Sequence, residues 1–415
     1  MVPIARTGRR RMAARIFVAL VFLFPTFVAS SGVSLIAPGV EAVIQCGGQP
    51  ATMVGTDGRD VLIGTTGPDI ITTGEGADVV RARGGDDLVC GGPGSDVLHG
   101  GAGDDTLLGG DGRDSLFGGD GADDLFGGWG DDGCLQGEGI GTKVSCAVRI
   151  AAAGDIACAP GQPTSRSQCW MEATSDLLLR SGVVAVLALG DNQYEDGSLW
   201  RFRASYGPTW GRLKGITRPA LGNHEYHTPG ATGYFDYFGE AAGRRGYYGF
   251  HLDEWQVVVL NSVCFAVGGC GKGSPQRRWL RDRLDSDGSS CTLAAWHHPR
   301  FSSGLHGNDR SYEPFWRGLY RDGAEIVLNG HDHHYERFAP QTPGRRADRE
   351  RGIREFVVGT GGRNLYPIVR VRANSVVRRA NVFGVLFLTL HPDRYDWEFV
   401  GIGGRTLDSG TTTCH

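Results

Sequence analysis

The sequence predicts an α/β protein in two parts: a repeat-built, glycine-rich β segment followed by a layered α/β domain. Three observations predict it. The 415 residues include 67 glycines, well above ordinary usage, so part of the chain must be glycine-built. From Gly55 the sequence keeps a period of nine residues. Past Cys146 glycine thins out, and continuous apolar runs alternate with helical patterns. The length suits two or three domains. With 42 basic and 46 acidic residues, the formal net charge of -4 gives no sign of a nucleic-acid partner.

The first element reads as an export signal. Arg6, Arg9, Arg10, Arg11 and Arg15 precede the apolar run from Ile16 to Phe24. Small residues follow at Val28-Ala29-Ser30 and again at Val40-Glu41-Ala42, so cleavage is expected near 30 or 42 within residues 1–42. The apolar core is short and Pro25 ends it, so no stable membrane span is expected after processing. A retained anchor is the alternative. No cysteine directly follows either small-residue site, which argues against a lipid anchor there. Ten cysteines fit a secreted, oxidising destination. Close spacings suggest Cys134 with Cys146, Cys158 with Cys169, and Cys264 with Cys270. Spacing alone does not fix the pairing.

Residues 55–135 form nine units of nine, from GTDGRDVLI to GGWGDDGCL. The fourth position is always glycine. The sixth is always aspartate: Asp60, Asp69, Asp78, Asp87, Asp96, Asp105, Asp114, Asp123 and Asp132. The eighth is Leu, Ile or Val in eight units, and Cys134 in the ninth. This resembles the RTX calcium-binding nonapeptide repeat. Glycine permits turns that a side chain forbids. Carbonyl and carboxylate oxygens are hard ligands suited to Ca2+. The resemblance implies a parallel β-roll with one apolar residue per strand pointing inward and calcium between the turns. It says little about function; stability outside the cell and cell-surface or matrix contact are both open.

The second part, residues 148–400, reads as strands and helices in turn. Strands are expected at Val148–Ala153, Val183–Leu189, Tyr247–Leu252, Trp255–Asn261, Thr292–Trp296, Glu325–Leu328, Glu355–Val358, Val382–Leu390 and Tyr395–Val400. Helical patterns fall at about Cys169–Arg180, Leu199–Leu213, Pro275–Leu284 and Pro314–Asp322. Residues 401–415 read as a C-terminal tail. Val183–Leu189 is apolar throughout, as expected of a strand buried on both faces. Polar triplets follow the strands, and strand ends are where layered α/β folds bind ligands. Nine of the twelve histidines lie between His224 and His334.

The strand ends read GDIA (154–157), GDNQY (190–194), GNHE (222–225), WHHP (296–299) and GHDH (330–333). In that order they resemble the calcineurin-like metallophosphoesterases, and most closely the purple acid phosphatases. The resemblance covers about residues 148 to 400 and implies a four-layer α/β/β/α sandwich. Where the general family has GDxH, this chain has Ala157; the purple acid phosphatase pattern supplies the tyrosine of GDxxY, here Tyr194. Carried across, Asp155, Tyr194 and His333 would bind one metal. Asn223, His297 and His331 would bind the other, with Asp191 bridging. A tyrosine ligand favours Fe3+ at the first site; Zn2+, Mn2+ or Fe2+ suits the second.

On an extended segment His331 and His333 share a face, so Asp332 is expected to point outward. His298 is read as a non-ligand and His334 as a supporting or surface residue. Glu336 and Arg337 are read as structural. His224 and, nine residues after His297, His306 are the candidates for contacting the phosphate or protonating the leaving group. The implied function is hydrolysis of phosphate monoesters by metal-activated hydroxide. The alternatives are a phosphodiesterase or nucleotidase on the same site, or a calcium-dependent surface-binding protein whose phosphatase domain is inactive. There is no GxxxxGK[ST] loop and no GxSxG serine elbow.

Overall fold

A computed structural model describes residues 44–130, 132–138, 141, 143–144, 146–289 and 291–415. The expected export signal lies outside the described residues. Among them, no helix is long and apolar enough to cross a membrane.

The repeat winds into a roll of two parallel sheets. Partners are eighteen residues apart, so two nonapeptides make one turn: Val79 pairs with Val97 in one sheet, Leu88 with Thr106 in the other. Side chains alternate across each short strand, and the eighth residue of the repeat points in. Fully buried, Val80, Leu98 and Leu116 line one sheet, in a row that Cys134 ends, and Ile71, Val89, Leu107 and Leu125 line the other; together they form one core. The core is narrow because neighbouring turns approach closely. A Cβ on Gly110, whose φ is 113°, would sit 2.1 Å from the Gly92 carbonyl oxygen. A disulfide from Cys46 to Cys90 ties the preceding hairpin, Gln45–Cys46 with Gln49–Pro50, to the roll.

The roll does not stop where the second part begins. The strand Cys146–Ala153 belongs to both. Its first residues pair with the last turn of the roll, Asp132 with Cys146 and Gly133 with Ala147. Its later residues pair with Ala185–Leu189 on one side and with Gly384–Leu390 on the other. One continuous sheet therefore runs from the roll into the second part. Ile44–His415 form one compact unit.

A second, seven-stranded sheet faces the first, in the order Tyr248–Leu252, Trp255–Val259, Cys291–Ala295, Ile326–Asn329, Arg354–Val358, Tyr335–Phe338, Ser375–Arg379. Its central strands are apolar on both faces, and the two-residue period sorts them. Val257, Leu293, Ile326 and Leu328 join the core between the sheets, with Ile150, Leu187 and Leu388 of the first. Val258, Ala294 and Val327 turn outward, under Leu280 and Leu284 of the helix Pro275–Ser286 and Phe315, Trp316 and Leu319 of the helix Glu313–Asp322. The helix Met171–Leu179 covers the first sheet through Leu178. The layers are helix, sheet, sheet, helix.

Three expectations need correcting. The helix expected over Leu199–Leu213 is broken into an α turn at Leu199–Arg201, a π turn at Phe202–Tyr206 and a 3-10 stretch at Trp210–Ile216. Pro208 offers no N–H, and its ring clashes with the carbonyl four residues back. Thr232–Phe238 is helical although no helix was expected there. The expected tail contains the strand Thr406–Thr413, paired antiparallel with Arg394–Gly401 and fastened by the Cys291–Cys414 disulfide. Cys158–Cys169 and Cys264–Cys270 are bonded as expected. The expected Cys134–Cys146 pairing rests on Cys146, whose side chain lies outside the described residues.

Candidate metal sites

Every strand-end motif delivers its polar residue to one end of the two sheets. Asp155 follows Cys146–Ala153, Asp191 follows Ala185–Leu189, and His331 follows Ile326–Asn329. All three have left-handed backbones, with φ of 60°, 47° and 68°. Non-glycine residues seldom adopt this conformation, and such strain gathers at functional sites. It turns each side chain sharply from its strand toward the common point.

At that point the polar atoms crowd. Tyr194 Oη lies 2.9 Å from Asp155 Oδ1, 3.0 Å from Asp191 Oδ2 and 3.1 Å from His333 Nε2. His333 Nε2 is also 3.1 Å from Asp155 Oδ1. His297 Nε2 is 3.2 Å from Asp191 Oδ2 and 3.2 Å from His331 Nδ1. Asp191 Oδ2 thus faces two groups, Tyr194 with Asp155 and His333 on one side, His297 with His331 on the other. Asn223 Oδ1 is buried without a hydrogen-bond partner.

Outer contacts aim the histidines. His297 Nδ1 donates to the Leu189 carbonyl at 2.9 Å, and His333 Nδ1 meets Asn364 Oδ1 at 3.2 Å. Each leaves Nε2 facing inward, the arrangement that prepares imidazole for a metal. Tyr366 stacks on His333 at 4.0 Å, with an angle of 4° between the rings. Burial opposes ionisation of Asp191, yet His297, His224 and His331 hold its carboxyl well below the usual range. Burial, Asp155 and Asp191 push the Tyr194 phenol well above its usual value. A phenol between two carboxylates, beside buried imidazoles and an orphaned amide oxygen, is a donor set that fits cations. Asp155, Asp191 and His297 can each bring one ligand atom within 4.8 Å of the others, as can His297, His298 and His331.

The other candidates stand around this cluster. His224 lies against Tyr194, ring centres 4.2 Å apart, with Nδ1 on the Glu195 carbonyl at 2.8 Å. His306 lies over His331 at 4.0 Å. His298 binds Ser262 Oγ through Nδ1 at 2.8 Å and stacks on Tyr312. Asp332, expected to point outward, is fully buried and accepts from His306; the correction follows from the tight bends of the motif, whose alternate residues turn into protein on both sides. His334 is also fully buried, 3.1 Å from Glu336 Oε2. Arg337 pairs with Asp408.

Sequence reasoning missed Glu225. This buried carboxylate accepts the backbone N–H groups of Gly222 at 2.7 Å, Asp191 at 3.1 Å, Asn192 at 2.8 Å and Gln193 at 3.3 Å. It clamps the loops that carry Asp191 and Asn223. Its signal was available: a carboxylate beside His224 at a buried strand end. Asn364 and Tyr366 lie in an irregular stretch that gave no signal.

In the roll, the sixth-position aspartates line up inside the turns. Each Oδ1 accepts the backbone N–H of the aspartate eighteen residues earlier, from Asp60 to Asp78 at 2.7 Å through Asp114 to Asp132 at 2.9 Å. The Oδ2 atoms of Asp78, Asp87, Asp96, Asp105, Asp114 and Asp123 are buried with no hydrogen-bond partner. Burial and neighbouring carboxylates push Asp105 up to about 7, and Asp87, Asp96 and Asp114 to about 6. A row of orphaned carboxylate oxygens fits hard divalent cations.

The calcineurin-like phosphoesterase family matches residues 148–335, and the RTX calcium-binding nonapeptide repeat matches overlapping stretches of residues 54–134. Residues 148–335 of this chain are thus of calcineurin-like phosphoesterase type, and they follow repeats of the RTX calcium-binding type. Among curated proteins, the uncharacterized protein Rv2577 of Mycobacterium tuberculosis strain ATCC 25618 / H37Rv is 29% identical over 184 residues, 35% of this chain and 35% of its own length. The uncharacterized protein MT2654 of strain CDC 1551 / Oshkosh matches to the same extent. The chain thus spans about a third of the length of the curated relatives it matches. Among solved structures, the purple acid phosphatase PPD1 from yellow lupin (Lupinus luteus) seeds shares the fold at a TM-score of 0.55 and 18% identity, over 65% of this chain and 54% of that one. GAP50, described as the anchor in the inner membrane complex of Plasmodium, does so at 0.50 and 13%, over 65% and 90%.

Proposed function

We propose that this chain is a secreted phosphatase that hydrolyses phosphate monoesters at a two-metal site. The observation that carries the proposal is the position of Asp191 Oδ2, about 3 Å from both Tyr194 Oη and His297 Nε2. In this reading Asp155, Tyr194 and His333 hold Fe3+. Asn223, His297 and His331 would hold Zn2+, Mn2+ or Fe2+, with Asp191 shared between the two sites. When bound, such a pair neutralises phosphate charge and brings the pKa of water toward 7.

The chain's own groups do the rest. His224, held on the Glu195 carbonyl, contacts the phosphate. His306 delivers a proton to the departing oxygen. Glu225 and Asn364 keep the ligand loops and rings in register. The sixth-position aspartates, Asp60 through Asp132, hold calcium. Disulfides and calcium-binding repeats support an extracellular setting.

The test is metal analysis with a visible spectrum, together with rates on p-nitrophenyl phosphate, bis(p-nitrophenyl) phosphate and a nucleotide. A tyrosinate-to-iron band and a preference for the monoester are expected. A colourless zinc protein would remove the iron assignment, and preference for the diester would remove the monoester one. No turnover with the metals bound would leave only the calcium-binding protein.

A further inference from the structure

The segment from His331 to Glu336 has two working sides. His331 and His333 turn toward Asp155 and Asp191. Asp332, His334 and Glu336 turn the other way, where all three are fully buried. They form the seat of the loop Ser302–His306. Ser302 Oγ donates to Asp332 Oδ2. Ser303 gives its N–H to Glu336 Oε2 at 2.8 Å and its hydroxyl to Glu336 Oε1. Gly304 admits the close approach: a Cβ there would lie 2.5 Å from His334 Cε1 and 2.7 Å from Asp332 Cγ.

The loop ends on His306, and Asp332 holds it twice. The His306 backbone N–H donates to Asp332 Oδ1 at 3.0 Å, and the ring Nδ1 meets the same oxygen at 2.9 Å. With Nδ1 taken by a buried carboxylate, Nε2 occupies the far edge of the ring. That edge belongs to a side chain 41% exposed, lying over His331 at the rim of the cluster.

We propose that Asp332 is a positioning residue that fixes His306 with Nε2 toward the leaving-group oxygen of the phosphate ester. The inference rests on the phosphoesterase reading and on His306 as proton donor within it. As a hydroxide oxygen forms its bond to phosphorus, the bond from phosphorus to the leaving oxygen breaks. The electron pair of that bond goes to the leaving oxygen, which takes the proton from His306 Nε2. The imidazole stays held through Nδ1–H on Asp332 and regains a proton from solvent. A misaimed ring costs most where the leaving oxygen is a strong base, because there the proton must arrive as the bond breaks.

The test compares an alkyl ester, glycerol 2-phosphate, with an activated one, 2,4-dinitrophenyl phosphate, on the metal-loaded full chain. Asp332→Asn is expected to lower kcat on the alkyl ester by about 10²-fold and on the activated ester by less than about threefold. His306→Gln should give the same pattern, and the double variant should add little to either. Equal losses on both esters, or none on either, would overturn the inference while leaving the phosphoesterase reading intact. A wild-type protein inert on both esters would overturn both. Should Asp332→Asn fail to fold, 15N-histidine NMR of the zinc-loaded wild type still decides: neutral His306 must carry its proton on Nδ1, and the Nε2–H tautomer would refute the arrangement.

Discussion

In the roll, each buried aspartate lies nine residues from the next and takes the N–H of the aspartate eighteen residues before it. Around Asp191 the neighbours come instead from positions 155, 194, 297 and 331, with no period. Both regions gather carboxylates away from water. The roll does so by repeating one local solution, so each site is nearly the same and each turn supports its neighbours. The cluster around Asp191 does so by convergence of unlike loops on strained backbones. A repeated site degrades in steps; a convergent one fails at a single residue.

That contrast can be broken or sharpened by experiment, beginning with the largest effect. Asp191→Ala removes the oxygen shared by both groups, so turnover should fall by more than about 10³-fold, with calcium binding by the roll unchanged. Surviving activity would show that the cluster is not convergent on Asp191. Withdrawing calcium with a calcium-selective chelator should disorder the roll, seen as lost strand signal in circular dichroism. Because Cys146–Ala153 is shared by both parts, the melting temperature of the rest should fall as well, by about 5 °C. An unchanged spectrum would count against calcium as the partner of the orphaned oxygens.

A smaller effect is expected at Glu225→Gln, which weakens the clamp on four N–H groups, that of Asp191 among them, without changing the side chain of a proposed ligand. Metal affinity or turnover should fall by about 10–100-fold, and both should stay normal if the loops hold themselves. The smallest is the pH response of the calcium-free roll, disordered near neutral pH and regaining strand structure as its carboxylates take up protons at lower pH. Asp87, Asp96, Asp105 and Asp114 hold protons in the fold up to about 6 or 7, against 3.8 ordinarily. The native state therefore binds more protons between those values, and stability should fall as pH rises from about 4 to about 7. Urea titrations across that range would check it; stability rising with pH would contradict the buried, unpaired carboxylates.

The roll was legible in the repeat once its resemblance to the RTX nonapeptide was recognised. Read with the RTX resemblance, its period placed every eighth-position residue, Leu98, Leu107 and Leu116 among them, inside and every sixth-position aspartate at a turn, because a parallel coil converts sequence spacing into spatial register; that two repeats make one turn, so that Leu98 stacks on Leu116 and not on Leu107, came from the structure. The sequence also named the ends of the apolar strands, since a strand buried on both faces announces itself by unbroken apolar residues. What lies beside what emerged from the folded chain. Asp332 followed the alternation rule yet turned into a buried seat for His306. Glu225 found four N–H groups from two separate loops. Thr406–Thr413 became a sheet edge locked by Cys414 instead of a tail. Each of these depends on contacts between residues far apart in the chain, and such contacts leave no local period to read.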